Sequence, residues 1–138
     1  LTIALLRARD AVTAQFRDHV GEAGLTLQQW RVIRALAGGT ELDTTTLASR
    51  CVILAPSLTR IIRHLAERNL VVKVPTRDRR QRVVRLTQDG EALFTSIWEV
   101  SQQKYAAIED AFGRAEMRDL VVSLNRLRAC LEPDEAPG

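Results

Sequence analysis

Arginine is the residue type through which this sequence could do chemistry. Ten Arg or Lys residues and three acidic residues lie between positions 44 and 90, whereas the rest of the 138-residue chain holds ten basic and fourteen acidic residues. A dense basic segment attracts polyanions, because binding releases the counterions condensed on them. Nucleic acid is therefore the first partner to consider and a membrane surface the second. A charged, solvated face without a partner is the alternative.

Catalytic and metal-binding motifs have no counterpart in the sequence. There is no glycine-rich phosphate loop, GxSxG or HExxH motif, and His19 and His64 are the two histidines, scattered rather than set at metal-ligand spacing. We therefore expect no enzyme activity, no cofactor and no bound metal ion. Cys51 and Cys130 lack CxxC spacing, which indicates a reducing cytosol rather than a disulfide framework. Apolar runs stay far below the roughly 20 residues that span a bilayer, and the first residues do not resemble a signal peptide, so we expect a cytoplasmic protein without membrane contact.

The basic segment is predicted to fold as two short helices followed by a β-hairpin. Asp43 is a good N-cap for the first helix, Pro56 suits the first turn of the second, and Asn69 is placed to stop it. From 70 to 86 the apolar period changes from helical to extended, which predicts a hairpin with the charged tip TRDRRQR. Because a single hairpin is marginally stable, it must pack on the helices.

Two helices are predicted before the basic segment. Residues 1 to 20 carry apolar residues at helical spacing, and Gly21 and Gly24 are placed to end that helix. Thr26 and Gln29 have the spacing of a capping box, which predicts a helix from about 27 to 37.

Two further helices are predicted after it. Thr87 is placed to cap a long helix, and the apolar pattern breaks around Gly113 before a final helix and an EPDEAPG tail that we expect to fray. The predicted fold class is therefore mainly α with a small β-hairpin.

The order helix, turn, helix, hairpin is the layout of a winged helix-turn-helix, in which the second helix enters the major groove and the hairpin is the wing. Short polar groups on that helix can approach base edges, and its arginines can fork onto guanine or phosphate. Arginines at the tip suit the narrow minor groove. Asp78 is predicted to pair with a neighbouring arginine and hold it extended, an ordinary surface salt bridge being the alternative. The predicted DNA-binding residues are Thr45, Ser57, Thr59, Arg60, Arg63, His64, Arg77, Asp78, Arg79, Arg80 and Arg82.

Two stretches, LASRCVILAPSLTRIIRHLAERNLVVKV and DRRQRVVRLTQDG, resemble the MarR family of bacterial regulators. The family's wing typically reads DRRxxxVxLTxxG. One departure is Ala55, which stands before the Pro that opens the second helix, where many members carry a capping Ser; a missing cap costs on the order of 1 kcal/mol. The positions that match the wing pattern are Asp78, Arg79, Arg80, Val84, Leu86, Thr87 and Gly90.

The resemblance implies that residues 1–138 form a single MarR-type domain with a winged helix-turn-helix core at 40–87. Helices at 1–23 and 88–132 would interlock with those of a second subunit, so that a homodimer meets a pseudo-palindromic operator on double-stranded DNA. A monomer that folds its own ends together is the alternative. The segments LTIALLRARDAV, LTLQQWRVIR and CVILAPSLT resemble those of one branch of the family. That branch regulates operons for the catabolism of homoprotocatechuate and related aromatic acids. That branch implies repression relieved by a small phenolic or aromatic carboxylate, although activation stays open.

An aromatic acid needs an apolar slot with one fixed cation, which the junction of the first, second and long C-terminal helices could supply. Each candidate also has a structural interpretation. The tryptophan suits a core position, the arginines of the first helix suit dimer salt bridges, and the histidine suits a solvated helix end. The predicted effector-binding residues are Arg9, Arg17, His19, Trp30 and Arg34.

Two other functions stay open at this point. The first is a thiol-based redox regulator, since Arg50 could lower the pKa of the adjacent Cys51, although the end of a helix favours a small packed residue there. The second is a winged-helix module that docks another protein through its basic wing and does not bind DNA. Salt dependence separates the second from a DNA-binding protein, because phosphate contacts predict a steep loss of affinity with rising salt.

Overall fold

The computed structural model describes residues 1–132, so all of the predicted frayed tail except Glu132 lies outside the described residues. The predicted mainly α fold class is confirmed, with one small antiparallel sheet. Contacts divide the chain into two compact units, Leu1–Ser101 and the residues from Gln102 onward. The elements are α1 (Thr2–Glu22), α2 (Leu27–Leu36), β1 (Leu42–Asp43), α3 (Thr44–Cys51), α4 (Ala55–Glu67), β2 (Val71–Val74), β3 (Val83–Leu86), α5 (Gln88–Phe112) and α6 (Arg114–Leu131).

The predicted capping box at the start of α2 is confirmed. The Gln29 N–H donates to Thr26 Oγ1 at 3.1 Å, and the Thr26 N–H donates to Gln29 Oε1 at 3.0 Å. The prediction that Gly21 ends α1 is wrong, because the helix continues to Glu22. Gly24 makes the turn instead, at φ +75°, where a residue with a Cβ would be strained.

The sheet has three strands in the order β1-β3-β2, whereas the sequence predicted a two-stranded hairpin. The missed strand, β1, contains two residues, too few for an alternating apolar pattern to be visible. Leu42 pairs with Val84, and Asp43 pairs with Val83. β1 therefore fixes the start of α3 to the hairpin.

The junctions around the hairpin follow the predicted signals. Asn69 adopts φ +59° just after α4, and the Leu70 N–H returns to the Leu65 carbonyl at 2.9 Å. Thr87 Oγ1 accepts the Gly90 N–H at 3.0 Å, which confirms Thr87 as the cap of α5, and it donates to the Asn69 carbonyl at 2.6 Å. Gly90 is buried so close to the Leu70 carbonyl that a Cβ could not fit.

The core of the first unit lies where α4, α2 and the sheet meet. The inward face of α4 buries Leu58, Ile61, Ile62 and Leu65, as the sequence predicted. The N-terminal part of α1 lies outside this core, because its apolar side chains are exposed. In the second unit the described part of α6 buries no residue at all. The exposed apolar residues on these two helices include Ile3, Leu6, Leu120, Val121 and Leu124.

Candidate nucleic-acid interface

The outer face of α4 carries the polar groups that the sequence predicts to bind DNA. Thr59, Arg60, Arg63 and His64 are exposed, and Ser57 is half-buried. Thr59 Oγ1 donates to the Ala55 carbonyl at 3.1 Å, so the hydroxyl hydrogen is used within the helix and the oxygen keeps its acceptor capacity. That oxygen suits an amino group on a base edge.

The start of α4 differs in one detail from the expectation for Ala55. The N-cap is Leu54, one residue earlier, and no side chain bonds to the first helical amides. Ala55 and Pro56 already belong to the first turn, and Pro56 contributes no N–H that would need a partner. The predicted absence of a capping side chain is therefore confirmed, but the N-cap position is Leu54 rather than Ala55.

The hairpin tip, residues 76–82, is closed by its own short hydrogen bonds. Thr76 Oγ1 donates to the Asp78 carbonyl at 2.7 Å, and the Gln81 N–H donates to the same carbonyl at 3.1 Å. Asp78 Oδ1 accepts the Arg80 N–H at 2.9 Å. The turn is thereby fixed without any contribution from the guanidinium groups.

The predicted pairing of Asp78 with an arginine is wrong. A short carboxylate in a turn meets the backbone N–H two residues on before it can reach a long, solvated side chain. Within residues 1–132 no ion pair forms at the tip, and its arginines project into solvent. These four exposed guanidinium groups are Arg77, Arg79, Arg80 and Arg82.

Thr45 lies at the exposed start of α3, where Asp43 provides the predicted cap. Asp43 Oδ1 accepts the Thr46 N–H and Oδ2 accepts the Thr46 hydroxyl, both at 2.8 Å. These bonds, the backbone one first, hold the pKa of the Asp43 carboxyl below its usual value. The first turn of α3 is thus anchored next to the hairpin, because Thr44 also donates its N–H to the Arg82 carbonyl at 2.9 Å.

A cavity of about 390 Å³ lies between α4 and the sheet, and the sequence did not predict it. It is formed by residues from α3, α4, β2, β3 and the hairpin tip, so no local pattern marks it. Its lining combines buried apolar side chains with exposed cationic ones, among them Ile62, Val71 and Val84 in the first group and Arg63, Lys73 and Arg82 in the second.

Two of the predicted effector residues belong to one aromatic stack. The buried Trp30 ring stacks on Phe94 with centroids 5.6 Å apart, and Phe94 stacks on Trp98 at 5.8 Å. The Arg34 guanidinium carbon lies 4.7 Å from the centre of the Trp98 ring, a cation–π contact. The sequence missed Phe94 and Trp98, although their i, i+4 spacing on α5 places them on one helix face.

His19 contacts Ser101 and Phe16. Its Nε2 and Ser101 Oγ share a hydrogen bond of 2.8 Å, and its ring packs against Phe16 with centroids 5.8 Å apart. His19 is part-buried rather than fully solvated. Arg9 and Arg17 are exposed on α1, and the described contacts do not bring their guanidinium groups to the aromatic stack or to His19.

Cys51 is packed rather than presented to solvent. Its thiol lies 3.6 Å from the Arg31 carbonyl, and Arg31 Nη1 donates to the Cys51 carbonyl at 2.8 Å. Burial raises the pKa of the thiol, an effect that the Arg31 charge only partly offsets. The nearby cation is thus Arg31 rather than the predicted Arg50.

The described part of the chain contains neither a metal-ligand cluster nor a membrane-spanning helix. Residues 1–132 contain no group of three His, Cys, Asp or Glu side chains that could hold a metal ion. None of the described helices combines the length and apolar character needed to cross a membrane.

Comparisons with known proteins agree with the resemblance seen in the sequence. A MarR family model matches residues 23–82. The chain is 40% identical over 135 residues to the HTH-type transcriptional regulator FarR of Neisseria gonorrhoeae. This alignment covers 95% of this chain and 92% of FarR. It is 40% identical over 121 residues to the homoprotocatechuate degradative operon repressor of Escherichia coli, covering 87% of this chain and 82% of that protein.

Solved structures give the same result. NadR in complex with 4-hydroxyphenylacetate superposes with a TM-score of 0.81 and 41% identity over 92% of this chain and 91% of that chain. The transcriptional repressor CouR bound to a 23-mer DNA duplex superposes with a TM-score of 0.83 and 25% identity over 93% and 92%. These relatives are transcriptional regulators, and the chain belongs to the MarR family of winged helix-turn-helix, DNA-binding transcriptional regulators.

Proposed function

We propose that the protein is a homodimeric repressor of an aromatic-acid catabolic operon and that a small phenolic or aromatic carboxylate releases it from its operator. One observation carries the DNA-binding part: the exposed polar face of α4 lies beside a hairpin whose tip presents four exposed arginines. A relative named as a homoprotocatechuate operon repressor supports the choice of operon, and the CouR complex with duplex DNA supports the choice of partner.

On DNA, α4 enters the major groove and the tip enters the neighbouring minor groove. Thr59 and Ser57 approach base edges, while Arg60 and Arg63 reach guanine or phosphate. His64 and Thr45 contact the sugar-phosphate backbone of the DNA. The tip arginines insert where the negative potential of a narrow minor groove attracts guanidinium groups. The Asp78 turn contributes by holding the tip closed, which limits the entropy lost on binding.

The exposed apolar surfaces of α1 and α6 support a homodimer. An apolar side chain left in water forfeits about 25 cal/mol for each Å² that a partner could cover, and α6 has no buried residue in its own chain. A second copy that covers residues 1–23 and 88–132 removes this cost. It also sets two α4 helices about 34 to 36 Å apart, one turn of DNA, on a pseudo-palindromic operator.

The aromatic stack and Arg34 support an aromatic carboxylate as the effector. The half-buried Trp98 offers aromatic surface and the buried Trp30 supports it through Phe94, Arg34 offers the cation, and His19 with Ser101 offers hydrogen-bonding groups. Arg9 and Arg17 supply further positive charge from α1. NadR, at 41% identity, is a relative with 4-hydroxyphenylacetate bound. An effector that releases the protein from DNA must bind the DNA-free conformation more tightly than the DNA-bound one. The coupling is reciprocal, so DNA weakens effector binding by the same factor.

Such a regulator needs neither a chemical step nor a cofactor, so we assign it no catalytic activity. We also place it in the cytoplasm, where it has access to the chromosome. The redox alternative is disfavoured by the buried Cys51 and its raised thiol pKa. The protein-docking alternative predicts no affinity for DNA.

The test is binding of the purified protein to DNA from upstream of its own gene, titrated with salt and with a panel of phenolic acids. The proposal expects nanomolar affinity, a steep loss with rising salt, and release by one acid of the panel. Tight binding without release by any acid would remove the aromatic effector. No binding at low salt would leave the docking alternative.

A further inference from the structure

The turn between α3 and α4 leads directly into the first turn of α4 and exposes apolar side chains to solvent. We call residues 52–56 the apolar turn. Ile53 is 7% exposed and anchors the turn in the core, whereas Val52 on one side is 84% exposed and Leu54 on the other is 79% exposed. Ala55 and Pro56, which follow, are exposed as well. The chain thus holds the turn by one residue and presents its neighbours to solvent.

Val52 adopts a backbone conformation that its side chain disfavours. Its φ and ψ are 54° and 51°, in the left-handed region, where the Cβ of a β-branched residue crowds the backbone. Its N–H returns to the Ala48 and Ser49 carbonyls, so the turn itself is an ordinary helix C-cap. Glycine would form the same turn without strain. The valine side chain therefore does not serve the turn, and it does not serve the core.

Leu54 breaks a second local rule. It is the N-cap of α4, a position where Ser, Thr, Asp and Asn are preferred because their oxygens accept the free amides of the first turn. The two preceding helices follow the preference, with Thr26 at α2 and Asp43 at α3. A strained residue, an exposed leucine and an uncapped helix start thus coincide within three positions. Such conflicts between local preference and fold are expected at functional sites.

The surroundings of the apolar turn indicate what covers it. Exposed Arg50 precedes it, Arg60 follows one helical turn on, and both belong to the segment of strongest positive charge. The turn leads directly into the N-terminal end of α4, the helix proposed to enter the major groove, and the N-terminal residues of such a helix are those that face base edges. The apolar group on a base edge in the major groove is the 5-methyl group of thymine.

We propose that the apolar turn reads thymine in the operator, through contact of Leu54, with Val52 and Pro56 beside it, with 5-methyl groups in the major groove. This inference rests on the proposed DNA-binding function. It adds a source of sequence specificity that no hydrogen-bonding side chain supplies. The strain and the missing cap are then the cost of placing methyl-reading side chains at the start of α4.

The test uses deoxyuridine, which differs from thymidine only by the missing methyl group. A duplex that binds the full-length protein tightly is first selected from a random-sequence pool, and each thymine in turn is then replaced by uracil. Dissociation constants are measured by fluorescence anisotropy. Burial of one methyl group predicts about fourfold weaker binding for each contacted thymine, and roughly 15-fold when the equivalent thymines of both half-sites are replaced.

Variants assign the effect to the apolar turn. With Leu54→Ser, the thymine and uracil duplexes should bind equally, both near the affinity of the wild-type protein for the uracil duplex. Leu54→Met keeps an apolar side chain and should keep the discrimination. Because serine at this position provides the missing capping oxygen, Leu54→Ser should unfold at the same or a higher temperature. Lost discrimination with retained stability excludes unfolding as its cause.

The inference is overturned if no uracil substitution weakens wild-type binding, or if Leu54→Ser retains the full uracil penalty. Either result leaves DNA binding itself intact, so the proposed function would stand. If instead no duplex can be selected from the pool, the proposed function fails and the inference fails with it.

Discussion

The two helices of the DNA-binding pair begin in opposite ways. α3 starts behind Asp43, whose carboxylate accepts both the N–H and the hydroxyl of Thr46 at 2.8 Å. α4 starts behind Leu54, which caps nothing and is 79% exposed. Because both helices lie in one basic segment and are stabilised by the same core, solvent and charge do not explain the difference. The first start is explained by folding, and the second by the proposed contact of the apolar turn with DNA.

The same contrast extends over the whole first unit. One set of residues, which we call the framework, makes the hydrogen bonds and close contacts that hold α3, the hairpin and α5 in place. The other set, which we propose contacts DNA and call the DNA-facing surface, consists of the apolar turn, the outer face of α4 and the tip. A change in the framework should lower stability and leave the affinity of the folded protein unchanged. A change in the surface should do the reverse.

Gly90 gives the largest expected effect within the framework. An alanine Cβ at this position would collide with the Leu70 carbonyl, which already accepts the Thr87 N–H at 3.0 Å. Since that contact is with backbone, relief requires α5 to move away from the hairpin. We expect Gly90→Ala to cost about 3 kcal/mol of unfolding free energy, measured by urea denaturation.

Gly21→Ala is the matched control for this prediction. Gly21 lies within α1, its φ is negative, and no atom lies within 4 Å of the position that an alanine Cβ would occupy. Alanine should therefore stabilise the helix by about 0.5 to 1 kcal/mol. Equal effects of the two substitutions would contradict the role given to the close approach of Leu70.

The tip arginines give the largest expected effect on the DNA-facing surface. The variant Arg79→Ala with Arg80→Ala should weaken DNA binding on the order of 100-fold. In the minor groove these guanidinium groups lie near the flanking phosphates, and hydrogen bonds between charged groups contribute more to affinity than neutral ones. The slope of log affinity against log salt should become shallower by about 0.9 for each phosphate that the variant no longer neutralises. Unfolding should be unaffected, since the tip is closed by Thr76, Asp78 and backbone groups.

The matched control removes the same charge from α6. Arg114→Ala with Arg128→Ala takes away two arginines whose exposed i, i+4 ion pairs with Asp110 and Glu132 contribute little to stability. If this pair weakens DNA binding as much as the tip pair while gel filtration shows that the variant is still a dimer, the net charge rather than the tip determines affinity.

Asp43 gives a smaller effect with a defined pH dependence. Its hydrogen bonds to Thr46 lower the carboxyl pKa in the folded state. The stabilisation is therefore fully present above the ordinary carboxyl pKa and is lost as pH falls through the lowered folded-state pKa. Denaturant unfolding of the wild type and of Asp43→Asn should differ at neutral pH and converge in acid.

Asp119→Asn, at an exposed position within α6, is the control, because it removes a carboxylate charge that does not lie at a helix start. A difference between wild type and Asp43→Asn that does not shrink in acid would contradict the assignment of the charge to the cap. DNA affinity at neutral pH should be the same for both variants.

Local signals were sufficient to predict the helix caps of the framework from the sequence. Thr26, Asp43 and Thr87 are caps that act within three residues, so their types and spacing indicate the bonds that the structure contains. The features that the sequence missed depend on distant pairing. β1 becomes a strand because β3 lies beside it, and the cavity exists because α4 and the sheet approach each other.

The candidate site shows the same division. The exposed residues of α4 and the tip follow from helical period and turn composition, and their positions were predicted correctly. The partner of Asp78 was not, because competition between a nearby backbone N–H and a mobile guanidinium depends on geometry that spacing does not encode. The stack of Phe94 and Trp98 with Trp30 and Arg34 likewise requires α5 to meet α2.

The smallest expected effect concerns Cys51, which belongs to the framework. Its thiol is buried, and its raised pKa leaves little of the reactive thiolate at neutral pH. In a Cys130→Ser background, which removes the exposed thiol, peroxide should leave DNA affinity unchanged within about twofold and alkylation of Cys51 should await unfolding. The same variant unfolded in urea, in which the Cys51 thiol is accessible and reacts, is the control for the reagent. If peroxide instead releases DNA and mass spectrometry finds Cys51 oxidised, the start and end of α3 would have different roles. Asp43 would serve folding and Cys51 regulation, and the division between framework and DNA-facing surface would fail at the one residue that lies directly before the apolar turn.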